Sequence, residues 1–274
     1  MQAFHNDVNI KNKLIDQLQA HYDADEIIKG VYWEGGKGCA IGCAIHSNDH
    51  SLYEERFAIP KWLSKVQDVI FEGLPNQKAK EWPLIFTKSV NVGADLNKIK
   101  IPFLIFIVES VINKFDHKKF PDAKKNINNI INILKNNHDN KESLIKAASG
   151  AYAAAAAAAG ADAGADAAAD ADAAAAAAYA DAAAAAAYAA YAAAAAAYAA
   201  AAGADAAYAT AAGAYAADAA DAGAYAADAA DAAYAAAYAA ADVYGADAAD
   251  AANSKEKQYE KFADKLIELV EKER

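Results

Sequence analysis

Between Ala147 and Ala252 the chain is almost wholly alanine, relieved by Tyr, Asp and Gly and by a single Ser, Thr and Val. No other feature restricts the fold so strongly. Alanine has the highest intrinsic helix propensity, and over so long a window that preference predicts helix. Alanine also carries little apolar surface. Such helices gain stability by close backbone approach, and the tyrosines supply most of the contact area. The chain therefore reads as mostly all-α. A helical globular domain spans 1–146, a low-complexity Ala/Tyr/Asp helical region spans 147–252, and an amphipathic helix spans 253–274. The Ala-rich helices are expected to form a hairpin or bundle that the last helix closes.

The tract contains an exact repeat, GAYAADAADA, at Gly213–Ala222 and again at Gly223–Ala232. Ten residues leave each copy rotated by about 80° on a straight helix, so Tyr and Asp keep no fixed face. Either the helix breaks near the glycines or it sits among mixed contacts. Expansion of a repetitive gene accounts for the copies as readily as a function does.

Charge is distributed unevenly. Thirteen Asp and no Lys or Arg lie between Ala151 and Ala252, so this segment accounts for the net charge of −11 and the rest is near neutral. A nucleic-acid partner requires a basic footprint, which neither part supplies. The longest apolar run, IPFLIFIV from Ile101 to Val108, is far short of the roughly 18 residues of a membrane span. Residues 1–20 are polar and amphipathic and read as no secretory leader. Two cysteines four residues apart make no disulfide framework. These features predict a cytoplasmic protein with reduced thiols and no membrane partner.

Within 1–146, Val8, Ile10, Leu14, Leu18, Tyr22 and Ile27 recur at nearly helical spacing, with Gly30 as the expected stop. Ser51 and Glu54 fit a capping box. Pro60 suits a first helical position ahead of Trp62, Leu63, Val66, Val69 and Ile70. Pro83 is expected to split the segment around LIFTKSV, and Pro102 to bend the helix that follows Asp95. Ile127, Ile130, Ile131 and Leu134 share one face. Tyr259, Phe262, Leu266, Ile267, Leu269 and Val270 form the stripe of the last helix. That stripe needs a partner, either the N-terminal domain or a second copy of the chain.

The densest chemistry lies in YWEGGKGCAIGCAIH, Tyr32 to His46. Four readings compete. The spacing C-x3-C-x2-H-x3-H suggests zinc, but on one helix Cys39, Cys43, His46 and His50 would spread over about 16 Å, so no metal site is expected. As a thiol enzyme, Cys39 or Cys43 would be the nucleophile near a helix N-terminus. His46 or His50 would act as base, oriented by Asp49 or Glu34. As a binding site, Tyr32 and Trp33 would stack on a ring while Gly35, Gly36, Lys37 and Gly38 hold an anion. As packing alone, Gly38, Ala40, Gly42 and Ala44 would let two backbones approach. His21, His117 and His138 stand alone and read as solvated or capping.

The motifs ADEIIKGVYWEGGKGCAIGCAIH, IFEGLPN and NVGADL, followed by an Ala-rich tract and ADKLIEL, occur in an order that resembles a group of uncharacterised proteins from phages, prophages and bacteria. The likeness covers residues 1 to about 100 and the last helix. Here the tract has Tyr and Asp, where that group also carries Arg and Trp. The resemblance implies a phage-type protein acting in the host cytoplasm. Its expected function is the non-enzymatic, cofactor-free capture of a nucleotide-like small molecule that counters host defence. A cysteine-dependent enzyme, and an assembly protein that oligomerises through the Ala-rich and C-terminal helices, are the alternatives.

Overall fold

A computed structural model describes residues 1–112, 121–136 and 248–273. The Ala-rich tract as far as residue 247, with its expected helices and repeats and all its aspartates but Asp250, lies outside the described residues. So do His117 and His138. The described residues are mostly helical, with one two-stranded hairpin. No helix among them is long and apolar enough to cross a membrane. The chain divides into two compact units, Met1–Phe103 with Tyr244–Arg274, and Leu104–Val243.

In the first unit α1 spans Val8–Asp23, capped by Asp7, whose side chain accepts from the Asn9 N–H at 2.8 Å. It buries Leu14, Leu18 and His21, one face at helical spacing. The helix closes well before Gly30. Asp25 turns to φ 56, the left-handed region that short polar side chains tolerate, and Ile27 then forms a bridge to Gly38.

Strands β1 (Trp33–Glu34) and β2 (Lys37–Gly38) form the hairpin, and α2 (Ala40–Ile45) follows at once. Helix α3 spans Ser51–Phe57. The expected capping box does not form: Asp49 Oδ1 instead accepts from the Ser51 N–H at 3.0 Å and from its hydroxyl at 2.6 Å. Glu54 turns away to accept from the Lys61 N–H.

Helix α4 (Lys61–Gly73) starts one residue after Pro60 and buries Trp62, Leu63, Val66, Ile70 and Phe71. Helix α5 spans Asn76–Ser89 and runs through Pro83 without a break. The proline removes one helical hydrogen bond. Burial of Trp82, Pro83, Leu84 and Phe86 offsets that loss, at about 1.5–3 kcal/mol for each large apolar side chain.

The terminal helix α8 spans Ala248–Lys272 and packs on α4 and α5. Tyr259, Phe262, Leu266 and Val270 are buried there. Gly73 leaves room for the Tyr259 ring: a Cβ at this glycine would fall 2.1 Å from the ring. Lys78 pairs with Glu260 at 2.8 Å and Lys98 with Glu273 at 3.0 Å along the edge.

Helix α6 spans Lys100–Ile112. Pro102 lies in its first turn, where an N–H has no helical partner, so no bend is required. In the second unit α7 spans Pro121–Asn136 and buries Ile131 and Leu134. Lys135 Nζ meets Glu109 at 2.6 Å.

Candidate functional site

The motif folds as a hairpin laid against a short helix. Gly35 and Gly36, at φ 58 and 86, are the two central residues of the turn between Glu34 and Lys37. A two-residue hairpin of this twist demands positive φ at both positions. The glycines thus serve the turn, three residues ahead of α2. The arm leading into the hairpin crosses α2 at backbone contact. The Cys39 N–H donates to the Val31 carbonyl at 2.7 Å and the Tyr32 carbonyl at 3.1 Å. A Cβ at Gly38 would lie 2.2 Å from the Tyr32 oxygen, and one at Gly42 only 1.7 Å. The Gly38-x3-Gly42 spacing therefore supplies the clearance that a packing role predicts.

Cys39 is the N-cap of α2, and its Sγ accepts from the Gly42 N–H at 3.3 Å. The helix stops after Ile45 because His46 takes the left-handed conformation, φ 50 and ψ 46. Gln17 from α1 donates to the carbonyls of Cys43 and Ala44, and Arg56 from α3 to that of Ile45. The chain then doubles back through Ser47–Asp49, which returns His50 toward the start of α2. The one-helix geometry considered for Cys39 and His50 is thereby broken, and the two residues meet.

Their meeting point is the first of two clusters. Cys39 Sγ lies 3.7 Å from His50 Nε2. Asp68, from the middle of α4, brings a carboxylate oxygen in, and the three donor atoms lie within 4.8 Å of one another. Cys39 is buried, and one Asp68 oxygen, Oδ1, is enclosed with no hydrogen-bond partner among the described residues. Burial lifts the Asp68 carboxyl to about 6, a shift partly opposed by the Cys39 thiol beside it. Burial, reinforced by the Asp68 carboxylate, pushes the Cys39 thiol far up despite the Gly42 N–H. Burial also lowers His50. These shifts favour a protonated thiol and a neutral imidazole at neutral pH around a poorly solvated carboxyl group. Tyr32, whose ring meets that of His50 at 4.5 Å, is itself 60% exposed.

The second cluster is a chain of Glu26, His21 and His46. Glu26 Oε2 lies 2.6 Å from His21 Nδ1, and His21 Nε2 lies 2.7 Å from His46 Nε2. Trp33 stacks on the His46 ring with centroids 4.7 Å apart and meets His21 edge-on. Trp33 and Tyr32, expected to stack on a ligand, thus each rest on a histidine of the chain.

The structure brings Cys39 together with His50, whereas His46 goes to His21. Cys43 faces another way: its thiol donates to the Gly38 carbonyl at 3.3 Å, and burial pushes it up to about 12. Asp49 Oδ1 is taken up by the Ser51 N–H and hydroxyl, and Glu34 is exposed on the hairpin, so neither orients a base at Cys39. Lys37 is exposed on β2, and its charge is felt by Asp25. Asp68 escaped the sequence reading: it is a single acid on an amphipathic helix and carries no signal. His21, expected to be solvated or capping, is instead buried on the apolar face of α1 beside Leu14 and Leu18, where a polar ring needs the partners it finds in Glu26 and His46.

No family model matches the chain, and neither the curated proteins nor the solved structures contain a significant match to it.

Proposed function

We propose that the Cys39–His50–Asp68 cluster is the reacting centre of a hydrolase. The observation that carries this reading is the convergence of a thiol, an imidazole and a carboxyl group from three separate elements within 4.8 Å. Such groups in one enclosed site are the equipment of acid–base and nucleophilic chemistry. The substrate would enter past Tyr32. Gly42 and the β-hairpin hold Cys39, and α4 holds Asp68.

The test is turnover by the full chain of two activated substrates, p-nitrophenyl acetate and bis(p-nitrophenyl) phosphate. His50→Ala and Asp68→Asn are expected to lower the rate of one of them at least a hundredfold. Wild-type rates equal to those of both variants on both substrates would refute the reading.

Capture of a nucleotide-like ligand by the hairpin is a second reading, favoured by the exposure of Tyr32 and Lys37. It predicts a stoichiometric thermal shift with some member of a nucleotide and cyclic-nucleotide panel. The resemblance to phage proteins is what suggests an anti-defence role for such capture.

A further inference from the structure

We propose that Cys39, His50 and Asp68 hold one zinc ion, leaving a fourth position for water. This rests on the hydrolytic reading for the importance of the cluster and adds the cofactor. Thiolate sulfur, imidazole nitrogen and carboxylate oxygen are the three donor types that zinc takes from proteins.

Spacing supports it. Two donors on a tetrahedral zinc at about 2.3 Å (sulfur) and 2.0–2.1 Å (nitrogen) stand roughly 3.5 Å apart. The observed Sγ–Nε2 separation is 3.7 Å. The second cluster fails the same comparison: its two histidine nitrogens, at 2.7 Å, are too close to share an ion.

Placement supports it as well. The donors come from the N-cap of α2, the residue before α3 and the middle of α4, so they approach from different elements. This is the arrangement that four ligands along one helix could not provide.

An independent sign is Asp68 Oδ1, enclosed and without a hydrogen-bond partner among the described residues. An unmet buried carboxylate oxygen is costly, and a cation held by this carboxylate would offset that cost. The surroundings already orient the donors: the Gly42 N–H points at Cys39 Sγ, and the Tyr32 ring braces His50.

Charge and protons balance. Zinc replaces the Cys39 proton, which leaves to solvent, and the thiolate and the Asp68 carboxylate together offset the charge of two. No electron moves. A water in the fourth position would be acidified by the ion and become the nucleophile of the hydrolysis, which assigns Cys39 to ligation rather than attack.

The test is titration of the chelator-stripped full chain with cobalt(II), followed by displacement with zinc. One equivalent is expected to raise an intense thiolate-to-cobalt charge-transfer band that zinc abolishes. Cys39→Ala removes the band, His50→Gln and Asp68→Asn weaken cobalt binding at least tenfold, and Cys43→Ala keeps band and stoichiometry. Circular dichroism confirms that each variant folds, and the near-isosteric Asp68→Asn serves where Cys39→Ala does not. Absence of a band at one equivalent, or its persistence in Cys39→Ala, overturns the proposal. Hydrolysis without metal binding sinks zinc alone. Metal binding without hydrolysis leaves zinc in place and sinks the hydrolase.

Discussion

The Nε2 atoms of His21 and His46 face each other at 2.7 Å. Only one proton fits between them. Glu26, at 2.6 Å from the other nitrogen of His21, accepts from Nδ1, so the chain is intact only while at least one of the two rings is neutral.

Stability is therefore expected to fall with acid. Burial lowers the His46 value below 6.5, helped by the nearby His21 and Arg56 and opposed by Glu26. Below about pH 6.5 the unfolded chain binds the proton more readily than the folded one, so stability drops as pH falls through this range and levels off below the folded-state value. Urea midpoints at pH 7.5 and 5.5 measure the drop. His46→Gln is expected to shrink it, and an unchanged drop would show that His46 plays no part.

Gly42→Ala should be among the most damaging single substitutions. Its Cβ would fall 1.7 Å from the Tyr32 carbonyl oxygen, and backbone cannot yield as a flexible side chain does. A loss of about 3 kcal/mol or more is expected. Gly35→Ala is the contrast. A Cβ there meets open space but sits at φ 58, for a cost of about 1–2 kcal/mol. Chemical denaturation of both variants gives the comparison, and equal losses would contradict the close-approach role of Gly42.

Docking of α8 depends on Tyr259 over Gly73. Tyr259→Ala removes a ring that is 1% exposed and is expected to cost about 3–5 kcal/mol. Limited proteolysis should then cut within 253–273 before the rest of the first unit. Protection equal to the wild type would show that Phe262, Leu266, Val270 and the edge ion pairs hold the helix without the Tyr259 ring.

Cys43 should be nearly inert. With its thiol pushed up to about 12, its thiolate fraction at pH 7.5 is roughly a thousandfold or more below that of a free cysteine. Iodoacetamide followed by mass spectrometry is expected to leave Cys43 unmodified in the folded protein and to modify it quickly in urea. Rapid native labelling would mean that the packing of α2 opens.

Much of the architecture is written in local pattern. The spacing of Leu14 and Leu18 marks the buried face of α1, and the stripe ending at Val270 marks that of α8. The alternation of small residues after Lys37 already implied a close backbone crossing. Helix ends were less legible. Asp25 stopped α1 where Gly30 was expected, and Pro83 was absorbed because surrounding side chains are buried, an effect no local propensity records.

The sequence by itself determined the helical class, the Gly-Gly turn, and the candidacy of Cys39 and of a histidine near it. Only the tertiary structure decided that this histidine is His50, that His46 belongs with His21, and that Asp68 completes the cluster. Periodicity encodes which face of a helix is apolar but not which other face it meets. The pairing of Cys39 with Asp68 depends on α2 lying against α4, and that is settled by packing across the whole unit.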